Sequence, residues 1–508
     1  MKHDDLGRAS RRIEGPSSDE PAQELIDAAF AWEIADAPYL HHGLNLADLG
    51  HVLDLHHRRI IPDAAARSLL SVLLEAYRTD AVDFPYDAKF GEPYNSRERH
   101  FVARIGDAAG WLHAGRPRRE AARVAFRIVL RRLTAELLES VANFAETIAL
   151  VAAKHREVLM ADQTYLQQAQ PSTFGHYLLA FAPPALRDGD RLLAALSQIN
   201  QSPGGAGCVN GSRLLTDRGH VAELLGFEGV INHTRDAMWQ TDTFVDVLAA
   251  GTSVLSNQSK LAEDLEIWSS QEFDYVDLAG PYTRASVLMP QKRNPYALSI
   301  VRGSSGVLIG RLTGFLAVVK SPSARSDNLI FAYGEIPRAI EYATKISNLM
   351  RGVVKTMTVN EARMWQILEN GFTQATDLAE HIMLEARIDY RTAYRVAGEA
   401  VKAASRNGLR GIDIDAAAID EAADRLGVRP LSLDPVQLAS ALDPHAIIAT
   451  RTASGGAAPA VVAEMADRYA QAASRLAAQA GARLTHFVEA ERALVQRAED
   501  FVAATAAE

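Results

Sequence analysis

Eleven consecutive residues, Ala285-Ser286-Val287-Leu288-Met289-Pro290-Gln291-Lys292-Arg293-Asn294-Pro295, join a hydroxyl, two fixed cations, an amide and two prolines. Such groups suit recognition of a carboxylate, with Lys292 supplying charge and Asn294 supplying hydrogen bonds. On residue types alone, a solvated turn before a helix accounts for the segment more simply, with Pro295 near the first helical position. The basic run Arg116–Arg119 is either a solvated helix start or a second anion-recognition element. His41-His42 and His56-His57 invite a metal reading, but adjacent histidines point apart and lack convergent partners. They read as surface or satisfied core residues, and no metal is expected.

Helices must position these groups. From Arg118 to Gln170 there is neither Gly nor Pro. Phe126, Leu130, Leu133, Leu137, Val141, Phe144, Ile148 and Val151 recur at spacings of three and four, the signature of one helical stripe. Further long candidates cover Thr234–Leu278 and Pro295–Val319, and several long helices with little strand alternation imply a bundle. Breaks at Phe84–Pro93, Gln201–Gly211, Gly280–Pro290 and Ser321–Gly334 are loops, where chemistry is usually placed. From Asp377 onward the pattern predicts shorter amphipathic helices, with breaks near Asn407–Gly411 and Thr452–Pro459.

The whole chain sets bounds. Its 508 residues, 48% hydrophobic and 23% charged, have ordinary globular composition, which sets disorder and fibrous classes aside. The formal charge of −10 argues against general binding to nucleic acid or anionic membrane. No apolar run is long enough for a membrane helix, and the polar N-terminus has no secretory core. One cysteine, Cys208, excludes an intrachain disulfide and points to a reducing, cytoplasmic compartment. A free buried thiol is the expected state of Cys208.

Taken together with its neighbours, the Ala285–Pro295 segment resembles the signature loop of the fumarase/aspartase superfamily. Its Met289-Pro290-Gln291-Lys292-x-Asn294-Pro295 form is most similar to that of argininosuccinate lyases. Residues 104–120, 164–181, 202–211, 261–278, 372–398 and 452–466 also resemble segments of that family, in the same order. The likeness runs from about Glu98 to Met465 and is weaker between Ala22 and Glu98. It implies an all-α subunit of three domains: an arm over 1–21, an N-terminal helical domain over 22–115, a central long-helix bundle over 116–370, and a C-terminal helical domain over 371–508. The central bundle is expected to form the core of a homotetramer whose active sites lie at subunit junctions. The family reaction is anti β-elimination from a succinyl-type dicarboxylate, giving fumarate and an amine or other leaving group without metal or cofactor.

By the same resemblance, Ser286 matches the base that removes the carbon-bound proton. Lys292 and Asn294 match residues that hold the adjacent carboxylate. Thr164 and Gln167 match substrate-facing positions, and Arg118 matches a retained arginine of the first motif. Arg119 and Met289 join the substrate-binding set. The departures are equally specific. Tyr165 stands where the family usually has His, and Ser299 stands where that His finds its Glu partner. Gly115-Arg116-Pro117-Arg118-Arg119-Glu120 replaces GRSRND, Val287 replaces a second Ser, and Ser321–Asn328 is rebuilt. Either Tyr165 is the acid for the leaving group, or the nitrogen departs already protonated or takes its proton from water. The leading expectation is a carbon–nitrogen lyase acting on a specialised N-substituted aspartate. The alternatives are an ordinary argininosuccinate lyase, another elimination or cycloisomerisation, and a catalytically silent homologue. Retention of Ser286, Lys292 and Asn294 argues against the last.

Overall fold

The computed structural model describes residues 21–325 and 327–504, so nearly all of the expected 1–21 arm lies outside the described residues. Three helices come first: α1 (Ala31–His57), α2 (Asp63–Arg78) and α3 (Pro93–Ile105). Helix α4 (Arg118–Lys154) begins directly after Pro117, whose ring suits a helix start. Its apolar stripe is buried as the spacing predicts, from Phe126 to Ile148 at 2% exposure or less. The helix is nevertheless buried on most sides, because Arg123, Arg127 and Arg131 are also enclosed.

These three arginines hydrogen-bond chiefly to backbone carbonyls. Arg123 Nε donates to Met238 O at 2.9 Å, Arg127 to Gln198 O at 2.9 Å, and Arg131 to Leu225 O at 2.7 Å. They tie the central helix to the loops around it and satisfy groups that would be costly to bury alone.

The Gly- and Pro-free stretch is not one helix to Gln170. It stops at Lys154, and strands β1 (Leu159–Thr164) and β2 (Gln167–Thr173) form an antiparallel hairpin. The polar run 162–170 has no helical stripe to bury, and pairing between strands satisfies its backbone instead. Helix α5 (Ala182–Ile199) follows, and the Thr234–Leu278 candidate resolves into a short turn of helix and then α6 (Asp242–Trp268). The signature segment forms a two-stranded ribbon, β3 (Arg284–Ala285) against β4 (Arg293–Asn294). Helices α7 (Tyr296–Val319) and α8 (Ala332–Thr356) return along the bundle. Gly334 therefore lies inside a helix and not in a loop.

Beyond 371, α9 (Ala375–Ala386), α10 (Tyr390–Arg406) and α11 (Ala416–Arg425) enclose a small separate core including Leu378, Val396 and Ile419. The final helix, α12 (Pro459–Ala503), has 45 residues and is the longest described. The expectation of only short helices in this region is corrected. Alanine at many positions lets α12 lie close along α4, so it joins the central bundle and not the small core. Among the described residues, no helix is long and apolar enough to cross a membrane.

Candidate active site

The signature ribbon is anchored by one of its two cations and leaves the other free. Arg293 donates to Asp277 Oδ2 at 3.0 Å and to Leu278 O at 2.8 Å. Among the described residues, the Lys292 ammonium has no partner in the chain, and Lys292 is exposed. Asn294 Nδ2 donates to Arg284 O at 2.9 Å and so closes the base of the ribbon. Ser286 Oγ accepts from the backbone N–H of Met289 at 3.0 Å and of Leu288 at 3.3 Å. Two amide donors aimed at one hydroxyl oxygen become charge-assisted if that oxygen ionises, which lowers the cost of forming an alkoxide. Val287 and Leu288 at the ribbon tip are almost wholly exposed, and Met289 is more than a third exposed.

The β1–β2 hairpin presents Thr164 and Gln167 as its last facing pair, both exposed. Between them Tyr165 and Leu166 form a two-residue turn with φ of 56° and 59°. Left-handed backbone at two consecutive non-glycine residues costs roughly 1–2 kcal/mol each. Tyr165 is 98% exposed, so nothing in its own chain repays that strain. Replacing the turn with Tyr165→Asn and Leu166→Gly should raise the thermal stability of the hairpin while lowering turnover. Thermal melts and steady-state rates on one preparation check both halves of that expectation.

At the first motif the arginines divide. Arg116 is buried and structural: it donates to Asp48 Oδ1 at 2.5 Å, Tyr94 Oη at 2.9 Å and Ala47 O at 3.0 Å. Arg97 reaches the other Asp48 oxygen at 2.8 Å. Burial pushes the Asp48 carboxyl up, but Arg116 and Arg97 outweigh it and hold it below the usual range. Within the 116–119 run, Arg116 is therefore a structural residue and is not free to meet an anion. Arg118 is exposed and lies 3.4 Å from Glu92, and Arg119 is half-buried. Arg118 borders an open cleft of about 990 Å³ with Arg99, His113 and Ser212. Cys208 lines the same cleft and is exposed, not buried as expected.

Two carboxylates escaped the sequence reading. Glu120 is buried and accepts from the amides of Gly205 and Gly207, each at 2.7 Å, fixing the glycine loop of the cleft. Burial pushes its carboxyl up, and Arg116 and those amides pull against it, leaving it at about 7. Ser299 donates to Glu266 Oε1 at 2.5 Å, and Arg302 donates to Oε2 at 2.5 Å. A carboxylate is thus held beside position 299 after all, supplied by α6. The paired histidines behave as core or surface groups: His41 bonds Tyr86 Oη and Thr79 O, and His42 meets Glu491.

The chain does not bring all its candidate residues together. Arg118 begins α4, and the hairpin bearing Thr164, Tyr165 and Gln167 follows its other end. Thirty-seven residues at 1.5 Å each separate those ends by about 55 Å. Of the rebuilt segment, Ser323 is at the Arg118 end, where it accepts from Arg235. The hairpin packs near Phe273 and Tyr275, which precede the signature ribbon.

Comparison with known proteins agrees with this architecture. A lyase family model matches residues 86–310, and an argininosuccinate lyase C-terminal model matches 372–449. An argininosuccinate lyase from Methanoculleus marisnigri is 33% identical across 82% of this chain and 84% of that protein. One from Methanothrix thermoacetophila is 32% identical across 84% and 88%. The crystal structure of EDDS lyase in complex with formate superposes with a TM-score of 0.83 at 26% identity, covering 96% of this chain and 97% of that one. The 3-carboxy-cis,cis-muconate lactonizing enzyme of Pseudomonas putida shares the fold alone, with a TM-score of 0.69 at 19% identity over 89% and 100%. The chain belongs to the fumarase/aspartase superfamily, among its argininosuccinate lyase-like carbon–nitrogen lyases.

Proposed function

We propose that the chain catalyses anti β-elimination of fumarate from an N-substituted aspartate, in an active site assembled from several copies. One observation carries this reading: the Ser286 hydroxyl sits under two backbone amides beside Lys292, which has no partner among the described residues, while Arg118 begins a helix of about 55 Å whose far end leads into the hairpin packed near Phe273 and Tyr275. A proton next to a carboxylate is weakly acidic, and its loss places charge on that carboxylate. Ser286 removes the proton as an alkoxide, and Lys292 with Asn294 holds the aci-carboxylate. Thr164, Gln167, Arg118, Arg119 and Met289 bind and orient the rest of the succinyl group. As the C–N bond breaks, the nitrogen takes a proton from Tyr165, whose hydroxyl can donate.

Assembly is supported by α7. Its outward face carries Gly303, Gly306, Gly310 and Gly314, each with open space where a side chain would be, flanked by exposed Val307, Ile309 and Leu316. An apolar helix face that glycines leave smooth suits close approach of the same helix from another copy. A homotetramer built on α7 brings the Arg118 end of one chain to the ribbon of another. The relatives named argininosuccinate lyase and EDDS lyase support fumarate as the common product, one EDDS lyase variant having been solved with bound fumarate. A reducing cytoplasm fits a chain whose one cysteine is an exposed thiol.

The substrate is a specialised one. Pro117, Arg119 and the rebuilt Ser321–Asn328 segment alter both ends of an argininosuccinate pocket. Fumarate absorbance followed in both directions with a panel of N-substituted aspartates and amines tests the reading. For L-argininosuccinate we expect kcat/KM below about 10⁴ M⁻¹s⁻¹, the low edge of ordinary enzymes. A value at or above that edge would restore the arginine-forming activity, and no fumarate from any substrate would remove the elimination reading.

A further inference from the structure

Glu120 lies two residues past Arg118, in the first turn of α4, yet it is wholly enclosed, at 0% exposure. Its carboxylate is spent on the loop that follows β2 and α5. Oε1 accepts from the Gly205 N–H and Oε2 from the Gly207 N–H, both at 2.7 Å. Among the described residues, two cations face it without bonding it. Arg116 is held by Asp48, and Arg218 donates to Gly204 O at 2.8 Å, Ile231 O at 2.7 Å and Pro203 O at 3.3 Å. Gly205 and Gly207 take left-handed backbone, and a Cβ at Gly207 would meet Gly211 O at 2.7 Å. The tip of the loop is pinned by Trp239 Nε1 on Cys208 O at 2.9 Å and by Thr234 Oγ1 on Val209 O at 3.0 Å. Gly207, Cys208, Gly211 and Ser212 then line the open cleft that Arg118 also borders.

We infer that Glu120 is a positioning residue of the elimination: its carboxylate, when ionised, sets the loop that walls the cleft where Arg118 meets substrate. The inference rests on the elimination reading, which assigns Arg118 to the substrate. Chemistry makes the charge necessary. A carboxylate accepts at both oxygens, whereas a carboxylic acid turns one of them into an O–H donor. That donor opposes the amide it faced, so one of the two bonds is lost. The surviving bond weakens as well, because hydrogen bonds to an ionised acceptor are the stronger kind. Burial pushes the carboxyl up to about 7, against the pull of Arg116, the two glycine amides and Arg218. Glu120 is therefore mostly ionised above that point, with the loop held, and mostly neutral below it, with the loop released.

Two readouts on the full chain test the assignment. For one proton, the ionised fraction rises about ten-fold from one pH unit below the midpoint to one unit above it. Fumarate affinity, measured by calorimetry, should therefore tighten about ten-fold as pH rises from about 6 to about 8. Cys208, the one cysteine of the chain, reports the loop without any ligand. Its rate of alkylation by iodoacetamide, divided by the rate of the urea-unfolded chain at the same pH, should fall several-fold across that range. Glu120→Gln keeps the size of the side chain but cannot ionise, so it should hold both readouts at the low-pH values of the parent. Glu120→Asp, one methylene shorter, should restore a pH dependence to both.

A group that served folding alone would change the melting temperature and leave both readouts flat with pH. A flat Cys208 ratio in the parent would thus overturn the assignment without any variant. Fumarate binding that tightens as pH falls would overturn it too, because the charge of Glu120 would then oppose substrate. A Cys208 ratio that follows pH in the parent and not in Glu120→Gln, with no fumarate bound at any pH, would keep the hold of Glu120 on the loop and remove the elimination reading instead.

Discussion

Ser286→Ala should lower kcat on the order of 10³–10⁴-fold, the span expected when a positioned base is removed. The hydroxyl contributes little to folding, because it only accepts from Leu288 and Met289 amides in an exposed ribbon. Melting temperature and oligomeric size should therefore match the parent, in keeping with surface substitutions of about ±0.5 kcal/mol. The two amides are what make serine credible as a carbon base. They exist only while the ribbon holds its turn, which depends on Arg293 at Asp277 and Asn294 at Arg284 O. Near-normal kcat in the variant would assign the base elsewhere.

Lys292→Met should cost on the order of 10²–10³ in kcat/KM, comparable to losing one oxyanion donor. The ammonium makes no ion pair within the chain among the described residues, so it is free to meet charge that grows on the substrate carboxylate. Its neighbour Arg293 is the contrasting control, because it already bonds Asp277 and Leu278. Loss at Lys292 should appear in kcat/KM with the melting temperature unchanged. A variant that melts early but turns over normally would make Lys292 a structural residue.

Much of this was legible in local residue patterns. The Phe126–Ile148 spacing predicts the central helix because burial of one stripe is a property of a single segment. The signature segment is legible through its resemblance to a known loop, because its residue types alone fit a solvated turn before a helix equally simply. Features that depend on distant partners were not legible. The hairpin of 159–173 arises from pairing between two polar strands, so absence of Gly and Pro misleads there. Arg116 and Arg118 look alike in sequence, yet Asp48, sixty-eight residues earlier, claims one and leaves the other at the cleft. Gly334 reads as a loop residue, whereas in a helix it admits the Asp36 carboxylate. Ser299 reads as loss of a carboxylate, whereas its hydroxyl holds Glu266 from another helix.

A site shared between copies is the central claim, and hybrid assembly tests it most directly. Arg118→Met and Ser286→Ala proteins, each slow alone, are mixed, gently dissociated and reassembled, and fumarate formation is measured. Arg118 and Ser286 belong to opposite ends of the bundle, so some junctions in a hybrid combine an intact Arg118 from one copy with an intact Ser286 from another. Activity should rise well above that of either parent treated in the same way. Activity that stays at the average of the two parents, in a preparation shown to contain hybrids, would contradict a shared site.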